Sequence, residues 1–194
     1  MHKKIILCDF DGTLIRGDSL FMFLRFAKGS FVYYLGLVIL LPILILGFLG
    51  LISNHRTKEI MLSYYLKNNT EEEINKISTD FKIILNRKNN IQLLEKINIY
   101  KENGYDVYIV SASILNWIRP WAESNGINNI ISTQLEFINN KFTGKFLTPN
   151  CNGEEKVRRI REVFVNREEL YIISFGDSKG DYPMFKYSDE FYQI

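Results

Sequence analysis

The sequence predicts an α/β protein with a doubly wound, Rossmann-like parallel sheet and an inserted α-helical cap. A short apolar strand signal opens the chain, and helix and strand signals alternate through its second half. The long segment 17–88 separates these two parts. Each predicted strand is followed by small, polar or acidic residues, and ligands of doubly wound sheets bind at the carboxyl ends of the strands. A ligand site is therefore expected at that edge.

Apolar runs and turn residues locate the individual elements. Between Lys4 and Phe10 the run Ile-Ile-Leu-Cys is short and continuously apolar, as in a strand that is buried on both faces of a parallel sheet. Gly104 ends a helical pattern in the manner of a C-cap, and the later helix carries Val157, Ile160 and Phe164 on one face. The predicted elements are strands over 4–10, 106–110 and 170–175 and helices over 91–102 and 154–165.

The segment 17–88 is far longer than an ordinary connection between a strand and a helix. We therefore expect it to form a helical cap. The Rossmann-like core would comprise residues 1–16 and 89–194.

Composition excludes some partners. Lys and Arg number 24 and Asp and Glu number 22, so the net charge of +2 gives no strongly basic surface, and nucleic acid is not expected as a partner. Cys8 and Cys151 lack the spacing of a metal site or a disulfide framework, which favours a reducing cytosolic compartment. Too few apolar residues precede Asp9 for a signal peptide.

Acidic residues follow two of the predicted strands. In Asp9-Phe10-Asp11-Gly12-Thr13 the two carboxylates are two positions apart, so both would point the same way if strand geometry persisted. Two neighbouring anions are costly unless a cation joins them, and Mg²⁺ suits an oxygen site that also holds a phosphate. Asp177 and Asp181 follow another strand and would complete the set of carboxylates.

Groups that suit a phosphate accompany these acids. Ser111 offers a hydroxyl beside free backbone amides such as that of Ala112, and Lys156 offers a positive charge. The only histidines are His2 and His55, which leaves little for a histidine-nucleophile phosphatase.

These four motifs, "DFDGT", the Ser111 of "VSAS", the Lys156 of "GEEK" and "GDSKGD", occur in the order typical of one family. The sequence resembles the haloacid dehalogenase superfamily of phosphatases, in the branch that includes phosphoserine phosphatase. The resemblance implies that Asp9 is the nucleophile and a metal ligand, and that Asp11 is the general acid and base whose main-chain carbonyl also ligates Mg²⁺. It further implies that Ser111, Ala112, Gly12 and Lys156 hold the phosphoryl group, that Asp177 ligates the metal, and that Asp181 ligates it or orients a ligand.

The segment from Phe31 to Ile52 has no charged residue and is long enough to cross a bilayer at about 1.5 Å per residue. A single crossing would separate Asp9 from Ser111 and the other site residues, so the active site could not assemble. We therefore expect a helical hairpin over 31–52 that turns near Pro42 and dips into one leaflet.

The residues around this segment support a membrane contact. Arg25 and Lys28 before it, and Arg56 and Lys58 after it, would face anionic headgroups on the cytoplasmic side of the inner membrane, with Tyr33 and Tyr34 at the interface. A lipid-linked phosphomonoester is then the expected substrate. Membrane-associated members of the same branch include phosphatidylglycerophosphate phosphatases.

Alternatives remain open. The apolar helices could pack within the cap or in a dimer, and the protein could be a cytoplasmic phosphatase of a small phosphomonoester such as phosphoserine. In that case Asp18 would be the acidic cap residue, and Arg25 or Arg56 would bind the substrate carboxylate. A phosphotransferase, a dehalogenase and a non-catalytic membrane-tethered module also fit the pattern, and the sequence leaves the oligomeric state open.

Overall fold

The computed structural model describes residues 2–194. Its main sheet has five strands, all parallel, in the order β3-β2-β1-β6-β7, and β4 and β5 form a separate antiparallel pair. The strands are β1 (Lys3–Cys8), β2 (Asp106–Ile114), β3 (Asn129–Thr133), β4 (Leu135–Ile138), β5 (Lys141–Phe146), β6 (Leu170–Gly176) and β7 (Glu190–Gln193). The helices are α1 (Ser19–Phe48), α2 (Asn54–Leu66), α3 (Glu71–Asn86), α4 (Ile91–Glu102), α5 (Leu115–Ser124), α6 (Glu154–Val163) and α7 (Tyr182–Tyr187). The predicted fold class is confirmed.

The direction of winding reverses beside β1. The chain moves outward from β1 to β2 and β3, and then returns to β6 and β7 on the other side of β1. The carboxyl ends of β1 and β6 therefore border the crevice where doubly wound sheets bind ligands. Cys8 is in register with Phe175, so Asp9 and Gly176 lie side by side at this edge of the sheet.

Both faces of β1 are buried, as the continuous apolar run predicts. Ile6 and Cys8 belong to one hydrophobic cluster, which includes residues of α4 and α5, whereas Ile5 and Leu7 belong to a second cluster with residues of α6 and α7. Successive side chains of a strand point to opposite faces, so a strand between two helical layers needs apolar residues at every position.

Helices α1, α2 and α3 occupy the predicted cap segment. Helix α1 kinks at Gly29, whose φ of 73° lies in the left-handed region, and then continues as a helix through Pro42 to Phe48. The predicted hairpin turning near Pro42 is therefore wrong. The turn falls instead at Gly50, which is also at positive φ, because glycine adopts this conformation without a steric penalty. Pro42 costs the helix only one hydrogen bond, which packing can offset.

Helix α2 runs back along the second part of α1. Gly36 lies against the side chains of Tyr65 and Tyr64, where an added Cβ would come within 2.3 Å of the Tyr65 hydroxyl, and Gly47 lies against Thr57. The hairpin of the cap is thus formed by α1 and α2 rather than within residues 31–52. Tyr33 is buried and its carbonyl accepts a hydrogen bond from Tyr65 at 2.6 Å, so its predicted place at a membrane interface is wrong.

Candidate active site

Asp9 follows the last residue of β1 and lies at the reversal point of the sheet. Its backbone N–H donates to the Phe175 carbonyl at 2.9 Å, which extends the pairing of β1 with β6 by one residue. Its side chain is buried, and burial raises the pKa of this carboxyl to about 7 although the charge of Lys156 acts to lower it. An anion at this position therefore depends on nearby cations.

Lys156 supplies such a cation from the first turn of α6. The side chain is only 2% exposed, and its Nζ donates to Asp9 Oδ1 at 2.5 Å and to Asp181 Oδ1 at 2.6 Å. Burial alone would lower the pKa of Lys156, but the charges of Asp9 and Asp181 outweigh it and raise the pKa. The ammonium group stays charged between the two carboxylates.

Asp9, Asp177 and Asp181 form a cluster of carboxylates at the ends of β1 and β6. One oxygen of each lies within 4.8 Å of the others, and Asp177 is the most exposed of the three. Three hard oxygen donors with one solvent-facing side fit a cation such as Mg²⁺, which keeps water ligands. Asp181 Oδ2 also accepts hydrogen bonds from the backbone N–H and the hydroxyl of Ser178, at 3.0 and 2.9 Å, and these fix its orientation.

Gly12 allows the first motif to approach this cluster. Its φ is +74°, and a Cβ there would lie 2.1 Å from Asp177 Oδ2. Any other residue would displace the Asp177 carboxylate and strain the turn. The close approach of the two acidic segments therefore depends on a glycine at this position.

The Asp11 carboxylate takes different partners from that of Asp9. Its Oδ1 accepts from the Ser19 backbone N–H at 2.8 Å, and its Oδ2 accepts from the Ser113 hydroxyl. The shared direction of the two side chains depended on strand geometry that does not persist, because β1 ends at Cys8 and the chain turns before Asp11. Burial is the main cause that raises the pKa of Asp11 to about 6.

An open cavity of about 440 Å³ brings most of the predicted site residues together. Asp181 is not among its lining residues and lies behind Lys156. Asp18, the candidate acidic cap residue, lies at the cavity, where its carboxylate accepts from the Leu20 N–H at 2.9 Å. The lining residues are Asp9, Asp11, Gly12, Gly17, Asp18, Asn54, Lys58, Ser111, Ala112, Asn152, Lys156, Asp177 and Ser178.

Lys58 is a cavity residue that the sequence did not place in the site. It was expected to face a membrane, but α2 directs it inward, where its Nζ donates to the Ala112 carbonyl at 3.4 Å. Burial is the main cause that lowers the pKa of Lys58, partly offset by the charges of Asp11 and Asp18. Among residues 2–194 no carboxylate pairs with it within 4.0 Å. The inward turn of α2 set its position, and a single sequence carries no signal of that.

Neither arginine considered for the substrate lines the cavity. The Arg25 guanidinium donates to the Ser30 hydroxyl and lies over the ring of Tyr34. Arg56 pairs with Glu59 at 3.0 Å on the outer side of α2. Lys58 is the cavity-lining cation contributed by the cap.

A family model for haloacid dehalogenase-like hydrolases matches residues 6–186 of this chain. The chain belongs to this family. It is therefore a hydrolase by family, as the four motifs predicted.

Individual relatives agree with the fold. The protein CicA of Caulobacter vibrioides is 28% identical over 195 residues, which cover 97% of this chain and 85% of that protein. A protein of unknown function from Bordetella pertussis Tohama I superposes with a TM-score of 0.85 at 18% identity, over 96% of this chain and 87% of its own. A phosphoserine phosphatase that carries an analogue of its phospho-aspartyl intermediate superposes with a TM-score of 0.66 at 24% identity, over 100% and 87%.

Proposed function

We propose that the protein is a Mg²⁺-dependent phosphomonoester hydrolase in which Asp9 is the nucleophile and an aspartyl-phosphate is the intermediate. The observation that carries this proposal is the pairing of a buried Asp9 with Lys156 inside a cluster of three carboxylates. The phospho-aspartyl analogue named for the phosphoserine phosphatase neighbour supports the same intermediate. Splitting phosphoryl transfer into two steps replaces one difficult displacement by two easier ones.

Each residue would have a distinct part in the reaction. Asp9 attacks phosphorus while Lys156 neutralises charge, and Ser111 with the backbone amide of Ala112 holds the phosphoryl oxygens. Gly12 lines the cavity beside them, but its N–H donates to the Gly17 carbonyl at 3.2 Å. Asp11 gives its proton to the leaving oxygen and later takes one from water. Asp9, Asp177 and the Asp11 carbonyl would hold Mg²⁺, with Asp181 as a ligand or as the group that orients one. When bound, the ion would offset the charge of the carboxylates and of the phosphoryl group.

An assay on an aryl phosphate and an alkyl phosphate, with Mg²⁺ or with a chelator, tests this function. We expect hydrolysis that requires Mg²⁺ and that Asp9→Asn abolishes. Asp80→Asn, which changes an exposed acid of α3, is the matched control and should retain full activity. A silent wild-type protein, or an active Asp9→Asn variant, would refute the mechanism. Added acceptor alcohols would reveal a phosphotransferase by a phosphorylated product.

We further propose that the cap lies on the cytoplasmic face of the inner membrane. The support is the outer face of α1, where Phe31, Val38 and Phe48 are 82%, 69% and 91% exposed. Helix α1 is also long and apolar enough to cross a bilayer by length and composition. From residue 19 to residue 58 every charged side chain is basic, which complements anionic lipid.

The geometry of the cap favours a helix that lies flat rather than one that crosses. Helix α2 runs beside α1 and carries Arg56, Lys58 and Glu59, and a charged side chain at the bilayer centre costs about 2.5 to 3.5 kcal/mol. A spanning α1 would carry these charges into the hydrocarbon. A helix in the plane of the interface buries its apolar face and leaves α2 on the protein side.

Flotation with vesicles of phosphatidylcholine and phosphatidylglycerol tests the membrane proposal. Wild-type protein should float with the vesicles, and Val38→Glu should reduce the bound fraction several-fold. Val165→Glu, at a position 87% exposed and away from the cap, is the matched control and should float like wild type. Equal flotation of all three proteins, or none by the wild type, would contradict the proposal. A Val38→Glu protein that changes from dimer to monomer would indicate a dimer interface instead.

The substrate that fits both the phosphatase site and the membrane-facing cap is a lipid-linked phosphomonoester such as phosphatidylglycerophosphate. Lys58 supports a substrate with a second anionic group beside the reacting phosphate, since this cation has no carboxylate partner within 4.0 Å among residues 2–194. The alternative is a small substrate such as phosphoserine, whose second anion is a carboxylate, and the phosphoserine phosphatases among the structural neighbours are its support. Turnover of vesicle-embedded phosphatidylglycerophosphate compared with soluble phosphoserine separates the two.

A further inference from the structure

A chain of hydrogen bonds connects the Asp11 carboxylate to a buried tryptophan. The Trp117 indole N–H donates to the Ser19 hydroxyl at 3.0 Å, and the hydroxyls of Ser19 and Ser113 are 2.9 Å apart. Ser113 in turn contacts Asp11 Oδ2. Ser19, Ser113 and Trp117 are all buried, and Trp117 stacks on Phe23 with ring centroids 4.5 Å apart.

The chemistry of the end groups fixes the direction of this chain. The indole N–H can only donate, and Asp11 Oδ2 accepts from the Ser113 hydroxyl, which a carboxyl oxygen can do in both the ionised and the protonated group. The hydroxyl of Ser19 must therefore donate to Ser113, and that of Ser113 to Asp11. The hydroxyls of Ser19 and Ser113 then each donate one hydrogen bond and accept one, so no buried donor among these groups is left without a partner.

We propose that Ser19, Ser113 and Trp117 are positioning residues that hold Asp11 in the orientation needed to protonate the leaving oxygen. This inference rests on the proposed function and names residues that its mechanism does not use. As the bond between phosphorus and the leaving oxygen breaks and the bond to Asp9 forms, the proton moves from Asp11 to the leaving oxygen. Because none of the three residues is charged, they fix the carboxyl group without adding a cation of the kind that accompanies Asp9.

The orientation of Asp11 depends on the position of the cap, because Ser19 belongs to the cap. Ser19 is the first residue of α1, and it contributes both its hydroxyl and its backbone N–H, which donates to Asp11 Oδ1 at 2.8 Å. Ser113 comes from the end of β2 and Trp117 from α5 of the core. The cap and the core thus hold Asp11 jointly, and a displacement of the start of α1 would release Asp11 Oδ1 from the Ser19 N–H and the Ser113 hydroxyl from that of Ser19.

The test compares leaving groups. An alkoxide needs a proton to leave, whereas nitrophenolate leaves readily without one. Misplacing the general acid should therefore lower kcat/KM, which reports the step that phosphorylates Asp9, more for the alkyl phosphate than for nitrophenyl phosphate. General acids contribute about 10² to 10⁴ in rate, and we expect Ser113→Ala to lower kcat/KM for an alkyl phosphate at least about tenfold more than for nitrophenyl phosphate. The loss should fall on kcat rather than on KM. Trp117→Phe should act in the same direction, and Ser113→Thr, which keeps the hydroxyl, should recover most of the loss.

Ser78→Ala is the matched control, because it removes a buried hydroxyl that donates to the Ile74 carbonyl in α3 and has no contact with Asp11. It should affect both substrates equally and weakly. Parallel losses on the two substrates in Ser113→Ala, or no loss at all, would overturn the inference while leaving the proposed function intact. A wild-type protein that hydrolyses neither substrate would overturn both. Circular dichroism and thermal unfolding show whether each variant is folded, and Ser19→Ala replaces Ser113→Ala if that variant is not.

Discussion

Replacing Lys156 with methionine should destabilise the protein in a manner that depends on pH. Lys156 is 2% exposed and bridges two carboxylates at 2.5 and 2.6 Å, so methionine fills its volume but leaves Asp9 and Asp181 without a cation. Breaking a buried ion pair from one side costs about 3 to 5 kcal/mol. For a chain of this length each kcal/mol lowers Tm by about 2 to 4 °C, so Tm should fall by about 6 to 20 °C without divalent ions.

The sign of the pH dependence follows from Asp9. Burial already raises its pKa to about 7, and losing Lys156 removes the main charge that lowers it. A carboxyl whose pKa is higher in the folded state binds its proton more tightly there, so protonation stabilises the fold below that pKa and the benefit is lost as the pH rises through it. The deficit of Lys156→Met should therefore be smaller at about pH 5.5 than at about pH 8.

Thermal unfolding at both pH values, with wild type and Lys76→Met as references, measures this effect. Lys76 is exposed on α3, so its replacement controls for the loss of a positive charge at the surface. An unchanged Tm for Lys156→Met at the higher pH, or a deficit that does not shrink on acidification, would refute the ion-pair reasoning. Added Mg²⁺ should also reduce the deficit, since it supplies charge to the same carboxylates.

Two further predictions concern the first motif and α6. Gly12→Ala should abolish Mg²⁺-dependent hydrolysis, because the added Cβ would displace the Asp177 carboxylate. The control Gly104→Ala is also at positive φ but has open space around it, so it should cost only about 1 kcal/mol of stability and keep activity. An active Gly12→Ala variant would contradict the required close approach of Gly12 to Asp177. Hydrogen bonds from Arg158 are the main cause that lowers the pKa of Glu155 to about 2. Glu155→Gln should therefore lose about 1 to 2 kcal/mol of stability at neutral pH, after allowance for solvent screening. In urea unfolding this deficit should vanish as the pH falls from about 4.5 towards 2, and a deficit that persists at low pH would point to packing instead.

The sequence predicted the parts of the fold that depend on local pattern. The helix over 91–102 has the predicted bounds, and β1 and β6 agree within two residues of their predicted ends. Burial of Val157, Ile160 and Phe164 on one face is confirmed. Strands β3, β4, β5 and β7 were not predicted, because short strands at sheet edges and in hairpins carry a weak periodic signal.

The errors arose where tertiary contacts override a local rule. Pro42 was expected to end a helix, but the packing of Gly36 and Gly47 on α2 keeps α1 continuous, and Gly29 and Gly50 set its kink and its end instead. Similarly, Asp9 and Asp11 are neighbours in sequence, yet Asp11 turns towards Ser19 and Ser113. Partners such as Ser113, 102 residues away from Asp11, become visible only once the fold brings them together.

The different surroundings of Asp9 and Asp11 suit the two roles proposed for them, nucleophile and acid, within one short motif. Without a bound cation the two pKa values are close, about 7 for Asp9 and about 6 for Asp11, because burial dominates both. A divalent cation at the cluster of Asp9, Asp177 and Asp181 would lower the pKa of Asp9 and keep it ionised for attack. For Asp11, burial and the charge of Asp18 raise the pKa more than the hydrogen bonds from Ser113 and Ser19 lower it, so its pKa would stay close enough to neutrality to carry a proton. An acid and a nucleophile require two carboxyl groups whose surroundings give them different pKa values.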